Sequence, residues 1–419
     1  MSIAVLGGSF DPVHLGHLKM LTVPELEGLK LIMLPNGLPP HKQSTAAAAS
    51  HRLKMCQLAI TDSGIRAEID TREIVGLRKN SDSILTDCAE VVSAAQNGGF
   101  WRGERIKTYV TPAENPTLCG DQALYAQSAQ YTYLSLQSLK ADYGDIVFVV
   151  GSDSFLEIFS WKNPAEIARL AEILIIPRPN YTEGLDVVLE KWMGIGGRAK
   201  ISALTAPDIS STEVRVANAF GAAGEYIGKS VLEYINKSQL YEEYKELAER
   251  VKGYGITEER FLHTGGVAMT AAKLAKFYGA DVDKAVTAAI LHDVAKEAVK
   301  NRADFMYLPM SVRHAAHGAE IARDEFGISD SEILDAIRYH TTGRPGMGLL
   351  EKIIYLADAI EPARGCGTVD KVRELAYTDL NAAVRFAIKN TINHLNERQR
   401  PIYPLTIDAY NYYTNLLLK

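Results

Sequence analysis

Ser2-Ile3-Ala4-Val5-Leu6-Gly7-Gly8-Ser9-Phe10-Asp11-Pro12-Val13-His14-Leu15-Gly16-His17 opens the chain with a short apolar run closed by two glycines. Three further runs have the same form. Leu31 to Leu34 is closed by Pro35-Asn36-Gly37, Ile146 to Val150 by Gly151, and Ile173 to Ile176 by Pro177. Continuous apolar runs bounded by turn residues suit strands buried on both faces. Helical stretches lie between them, so the first half is expected to be α/β, a parallel sheet covered by helices. Glycines directly after a strand let backbone N–H groups approach an anion. His14 and His17 are three apart, so a helix starting there puts both imidazoles on one face.

Strand signals stop after about residue 240. From Glu258 onward apolar residues recur at helical spacing, through Val267, Leu274, Ala285 to Leu291, Ile333, Ile337 and Ile353 to Ala357. The second half therefore reads as an all-α bundle. Tyr241 to Lys252 is highly charged and is followed by Gly253-Tyr254-Gly255, which reads as a solvated helix and hinge. Domains are expected at 1–244 and 245–419, in keeping with a length of 419 residues. The composition, 47% hydrophobic and 23% charged, is that of folded chains and excludes a mainly disordered one. A net charge of -6 excludes a global basic field for nucleic acid. Cys56, Cys88, Cys119 and Cys366 form no CxxC pair, so they are expected as reduced thiols. No apolar run is long enough to span a membrane and no leader is evident, so a cytoplasmic protein is expected.

Four further elements bear on the first half. Ile209-Ser210-Ser211-Thr212-Glu213-Val214-Arg215 contains a capping box, Ser210 with Glu213, so a helix opens there, with hydroxyls and Arg215 near its N-terminus. Pro39-Pro40-His41-Lys42 follows the second run. Gly151-Ser152-Asp153 follows the third, with Trp161 eight residues after Asp153, and Tyr131-Thr132 precedes a helical stretch. Together with Gly7 to His17 these resemble the HxGH nucleotidyltransferases, and specifically the nicotinate-nucleotide adenylyltransferases. The resemblance implies a Rossmann-like domain in which His14 and His17 hold ATP phosphates. It implies a catalytic set of His14, His17, Lys42 and Arg215. Gly7, Gly8, Ser9, Phe10, Thr132, Gly151, Asp153, Ile209, Ser210, Ser211 and Arg215 are implied on nucleotide and substrate, with Trp161 stacking on the pyridine ring. Arg52 is a further candidate for phosphate contact. The implied reaction transfers AMP from ATP, with Mg²⁺, to nicotinate mononucleotide, giving deamido-NAD and pyrophosphate. Residues 76–129 exceed what that family usually carries and are expected to be an insertion.

In the second half His263, His292-Asp293, His317, His340 and Asp358 form an ordered set within helical, apolar contexts, where unpaired polar groups are costly. Imidazoles with carboxylates suit a hydrolytic Mn, Fe or Zn centre. His314 is read as lying outside this set. Lys296 follows His292 by four residues and Asp293 by three, so it shares their face. His292-Asp293-Val294-Ala295-Lys296-Glu297, His340-Thr341-Thr342-Gly343 and Ala357-Asp358 to Arg364 resemble the HD-domain symmetrical dinucleoside tetraphosphate hydrolases. The resemblance implies two divalent metals, iron foremost with manganese or zinc as alternatives. His263, His292, Asp293 and Asp358 would hold one, and His317 and His340 the other, with Asp293 as bridge. Asp293 and Lys296 are implied in catalysis, with Lys296 and Arg364 on substrate phosphate, and the reaction is diadenosine tetraphosphate plus water to two ADP. A bifunctional enzyme is expected, with ATP, nicotinate mononucleotide and diadenosine tetraphosphate as partners and neither nucleic acid nor membrane. Three alternatives stay open: a nucleotide-sensing half, another acceptor such as nicotinamide mononucleotide or phosphopantetheine, and a homo-oligomer.

Overall fold

A computed structural model describes residues 2–37, 46–75, 131–297, 308–365 and 367–418. Pro39 to Lys42 and the 76–129 insertion lie outside the described residues, as do Cys88, Cys119 and Cys366. The chain divides into two compact units, Met1–Val214 with Gly224–Leu240, and Arg215–Ala223 with Tyr241–Lys419.

The first unit holds strands β1 (Ile3–Gly8), β2 (Lys30–Pro35), β3 (Ala67–Ile69), β4 (Ile146–Gly151), β5 (Glu172–Ile176) and β6 (Arg198–Ile201). All pair in parallel, in the order β3-β2-β1-β4-β5-β6. Ile3, Val5, Ile32, Phe148, Ile173 and Ile175 are buried, which is why these strands read as unbroken apolar runs. The chain winds outward from β1 on one side and from β4 on the other. The switch point lies between those two strands, where α/β sheets open a ligand crevice at the carboxyl edge. Gly7-Gly8 and Gly151 end the two strands there. Cys56 is a free, buried thiol on helix Ala49–Ser63, and burial pushes its pKa up, so it is inert.

At the β3 edge a buried charged cluster follows the strand. Arg72 donates from Nε and Nη2 to Asp70 at 2.9 and 2.7 Å, and reaches Asp142 at 3.1 Å. Ser135 Oγ donates to Glu73 Oε1 at 2.6 Å. Burial pushes the Glu73 carboxyl up to about 7 from 4.5, so the folded chain keeps a proton that the unfolded chain has lost. That contribution to stability is full below about 4.5 and falls away as pH rises through about 7. Glu73→Gln keeps an acceptor for Ser135 and removes the titration. Thermal melts from about pH 5 to 8 should show the variant losing less stability than the parent toward pH 8; parallel curves would count against this origin.

The second unit is helical throughout its described residues: Glu242–Lys252, Glu258–Tyr278, Val282–Leu291, Met310–Asp324, Ser331–Tyr339, Leu349–Ile360, Thr368–Leu375, Leu380–Glu397 and Pro404–Leu417. Val282–Leu291 lies at its centre, with Ala285, Val286, Ala288, Ala289, Ile290 and Leu291 all buried. Alanines there let neighbouring helices approach closely, and Asp281 caps its start by accepting from Lys284 N at 3.0 Å. The helix expected after Tyr241 is present, but it is packed rather than solvated all round, because Tyr244, Ala248 and Val251 fall on one face and join the core. Phe220 meets Phe261 with ring centroids 4.7 Å apart. A Cβ at Gly265 would stand 2.8 Å from Phe220 Cγ, so glycine makes room for that ring. Among the described residues no helix is long and apolar enough to cross a membrane.

Candidate active sites

At the switch point β1 runs into a turn in which Phe10 takes φ 49°, a left-handed conformation uncommon outside glycine. Helix Leu15–Met20 follows. The His14 and His17 rings stack with centroids 3.7 Å apart, and Phe10 meets His17 edge-on at 4.9 Å. His14 N donates to His17 Nδ1 at 3.2 Å, so a neutral His17 carries its proton on Nε2 and presents a donor. Gly16 explains the spacing of the pair: a Cβ there would lie 2.9 Å from His14 Nδ1 and 3.2 Å from Ile209 Cγ2. The expected capping box is present. Ser210 donates from N and Oγ to Glu213 Oε2 at 2.9 and 2.8 Å. Ser211 Oγ donates to Pro12 O at 2.9 Å, which fastens this helix start to the histidine loop.

Across the switch point, a Cβ on Gly151 would come within 2.5 Å of Asp153 Oδ1 and 2.9 Å of Arg178 Nε. Arg178 pairs with Asp153 at 3.5 Å and donates from Nη1 to Ile209 O at 3.4 Å, so β4, β5 and the Ser211 helix are joined at one edge. Trp161 is half-buried, its ring edge-on to Phe148 at 6.2 Å. Its neighbour Lys162 lies 5.9 Å from the Tyr131 ring centroid, and Thr132 begins helix Thr132–Tyr143. The described candidates Gly7, Gly8, Ser9, Phe10, His14, His17, Thr132, Gly151, Asp153, Trp161, Ile209, Ser210 and Ser211 all belong to the first unit. Arg215 lies one turn along helix Ser211–Ala219, its guanidinium 6.0 Å from the Tyr241 ring centroid. Lys42 lies outside the described residues.

Arg52 departs from expectation. It is 1% exposed and donates to Ser9 O, Asn36 O and Gly37 O at 2.7 to 2.9 Å. These bonds tie the loops after β1 and β2 to helix Ala49–Ser63, so Arg52 shapes the site from below. Asp11 acts similarly: its buried carboxylate accepts from Ala46 N and Ala47 N at 2.8 and 3.1 Å. Asp11→Ala would leave the buried Ala47 amide without its acceptor, at about 1–3 kcal/mol, while the exposed Ala46 amide can turn to water. Urea unfolding should register a loss of at least about 1 kcal/mol; an unchanged midpoint would contradict this.

In the second unit, ligand atoms of His263, His292 and Asp358 lie within 4.8 Å of one another, as do those of His292, Asp293 and His340. The histidines are oriented from behind. His292 Nδ1 and His340 Nδ1 face the carbonyls of Ala289 and Ile337 at 2.6 and 2.7 Å, and His263 Nδ1 faces Glu361 Oε1 at 3.1 Å. Each therefore offers Nε2 to the centre, the arrangement that fixes metal-binding tautomers. His292 Nε2 is buried and makes no hydrogen bond, an orphan that a cation would satisfy. Burial pushes His292 and His314 down to about 4, so both stay neutral as ligands must. Burial would also lower His263, but the Asp358 and Glu361 carboxylates outweigh it and hold it near 9. Burial would raise Asp358, but its hydrogen bond with His263 and the nearby His292, His340 and Arg364 hold it well below the carboxylate range. The donor set fits divalent metals.

Expectation assigned His317 to this cluster and left out His314. His314 Nε2 lies 3.3 Å from both Asp293 Oδ1 and His340 Nε2, so His314 belongs to the cluster; His317 is buried one turn on. Two histidines at i and i+3 share a helix face, and spacing alone could not choose between them. Arg260 and Glu361 were also missed. Arg260 precedes His263 by one turn and reaches Asp293 Oδ2 at 2.7 Å, and Glu361 follows Asp358 by three residues. Lys296 Nζ lies 3.3 Å from Asp293 Oδ1, and Arg364 Nη2 2.6 Å from Asp358 Oδ1.

Residues 5–217 match the cytidylyltransferase-like family and residues 260–363 the HD domain. The symmetrical bis(5'-nucleosyl)-tetraphosphatase of Halalkalibacterium halodurans is 49% identical over 167 residues, covering 37% of this chain and 89% of that protein. The chain belongs to the cytidylyltransferase-like family in its first part and to the HD-domain tetraphosphatases in its second. A Mycoplasma genitalium protein described as a probable nicotinate-nucleotide adenylyltransferase/Ap4A hydrolase is 24% identical over 412 residues, 93% of this chain and 98% of that one. A probable nicotinate-nucleotide adenylyltransferase of a Shewanella species is 27% identical over 264 residues, 58% of this chain and 99% of its own. The cytidylyltransferase-like unit thus carries the paired histidines, and the HD unit the histidine–aspartate cluster.

Proposed function

We propose that the chain is a bifunctional enzyme. The cytidylyltransferase-like unit transfers AMP from ATP to nicotinate mononucleotide, and the HD unit hydrolyses diadenosine tetraphosphate to two ADP. The observation carrying this reading is the presence, on one chain, of a paired-imidazole cradle at a sheet switch point and a buried cluster of Nε2-presenting histidines with aspartates.

In the first reaction a phosphate oxygen of nicotinate mononucleotide attacks the α-phosphorus of ATP. The bond to the bridging oxygen breaks, and pyrophosphate leaves. A phosphate monoester is mostly ionised at neutral pH, so no general base is required. Alignment and charge neutralisation carry the rate. His17 donates from Nε2 to the phosphates, His14 stacks behind it, and the amides around Gly8 to Phe10 and the Ser210–Ser211 helix start add donors. Mg²⁺ arrives with ATP. Trp161 offers a face to the electron-poor pyridine ring.

In the HD unit His263, His292 and Asp358 would hold one divalent ion, and Asp293, His314 and His340 a second, with Asp293 placed to touch both. Mixed imidazole and carboxylate donors suit iron, with manganese and zinc as alternatives. Bound there, two such ions activate water and offset charge on the phosphate being cleaved. Glu361 holds the His263 ring, and Lys296 faces the phosphates.

A substrate panel on the intact protein tests both halves. Deamido-NAD should form from nicotinate mononucleotide faster than NAD from nicotinamide mononucleotide, and diadenosine tetraphosphate should give ADP alone. AMP with ATP as products would contradict symmetrical cleavage.

A further inference from the structure

The two carboxylates assigned to metals are already held by side-chain cations. Arg260 Nη1 lies 2.7 Å from Asp293 Oδ2, Lys296 Nζ 3.3 Å from Asp293 Oδ1, and Arg364 Nη2 2.6 Å from Asp358 Oδ1. Two of these oxygens also face the ligand nitrogens. Asp358 Oδ1 is 3.1 Å from His263 Nε2, and Asp293 Oδ1 is 3.3 and 3.5 Å from His314 and His340 Nε2. A divalent ion seated among those atoms would stand close to guanidinium and ammonium groups in a setting that screens charge poorly. The cations have somewhere to go. Side-chain exposure is 27% for Arg260, 33% for Lys296 and 46% for Arg364, against 4% for Asp293. They form the rim, on long stems that can swing into water. Glu297 Oε1, 3.7 Å from Arg260 Nε, offers that residue a second partner.

Charge balance points the same way. Asp293, Asp358 and Glu361 each face at least one of the three rim cations. The charge that two divalent ions add matches that of a doubly esterified tetraphosphate, with one ionised oxygen on each phosphorus.

Resting on the metal-dependent hydrolase reading above, we propose that Arg260, Lys296 and Arg364 are exchangeable cations. They neutralise Asp293 and Asp358 while the site is empty, yield those oxygens to entering metals, and then grip the substrate's phosphate chain. Metal and substrate are thereby coupled through the same three side chains. A purely supporting role would make the opposite prediction for metal, since losing a support weakens ligand placement.

The test uses the intact chain stripped with a chelator. Mn²⁺ is titrated without nucleotide, free Mn²⁺ is read by electron paramagnetic resonance, and inorganic tripolyphosphate is then titrated onto the Mn²⁺-loaded protein. Arg260→Gln and Arg364→Gln should each bind Mn²⁺ about 3- to 10-fold tighter than the parent and tripolyphosphate about 10-fold weaker. Arg260→Lys and Arg364→Lys should return toward the parent in both. Unchanged or weaker Mn²⁺ binding in the Gln variants would overturn the exchange. Arg364 lies furthest into solvent of the three, so its variants keep the test open if an Arg260 variant does not fold. A parent that binds no Mn²⁺ would instead overturn the metal-dependent reading, and the exchange with it.

Discussion

His292→Ala should lower ADP release from diadenosine tetraphosphate by at least about 10³-fold while adenylyl transfer to nicotinate mononucleotide stays within about twofold. His292 is assigned to one ion with His263 and Asp358, and its ligand atom also lies within 4.8 Å of those of Asp293 and His340, so its loss disturbs the whole cluster. Its ring is fully buried, fixed by Ala289 O, and its Nε2 has no other bond to make. Removing a buried ring also costs packing, so Asp358→Asn is the companion variant: it keeps shape and removes the charge that holds His263. Chromatography of ADP together with metal content by mass spectrometry reads the result. Both variants should lose metal. Hydrolysis within tenfold of the parent, at undiminished metal content, would mean that the cluster is not where the reaction occurs.

The second large effect belongs to the other unit. His17→Ala should reduce kcat for deamido-NAD formation by about 10²- to 10³-fold with a smaller change in KM for ATP. The reason is that charge on the transferring phosphoryl group and leaving pyrophosphate grows in the transition state, where a pre-aimed donor acts most strongly. His17 is pre-aimed because His14 N occupies Nδ1 and the ring is confined by His14 and Phe10. His17→Asn retains an N–H donor and should recover part of the loss. An equal loss of hydrolysis would point to misfolding; a change confined to KM would make His17 a binding group only.

The sheet was legible where strands are buried on both faces. β1, β2, β4 and β5 are unbroken apolar runs, and all four were expected. β3 and β6 were not, because they are short edges carrying charge: Glu68 pairs with Lys30 at 2.7 Å, and Lys200 with Glu172 at 3.0 Å. A strand with one neighbour and solvent beyond it has no need of an apolar run. The histidine pair was legible because its glycine is forced by the ring beside it. The metal cluster was legible as an ordered set, yet the choice between His314 and His317 turned on helix rotation, which spacing does not report. Arg52 looked like a phosphate ligand because it is a cation beside a phosphate motif; its three backbone carbonyl partners come from loops far apart in the chain. Arg260 and Glu361 had a signal, since each lies one helical turn from an expected ligand, but such neighbours are ordinary on any helix.

The central claim is that one chain holds two chemically independent centres, one built on protein donors and the other on bound metal. Stripping the intact protein with a chelator, returning Mg²⁺ alone and assaying both reactions in one sample tests it most directly. Deamido-NAD formation should return with Mg²⁺, while ADP release from diadenosine tetraphosphate should stay lost until iron, manganese or zinc is restored. Full hydrolysis in the stripped sample with Mg²⁺ alone, or two activities that vanish and return together, would contradict it.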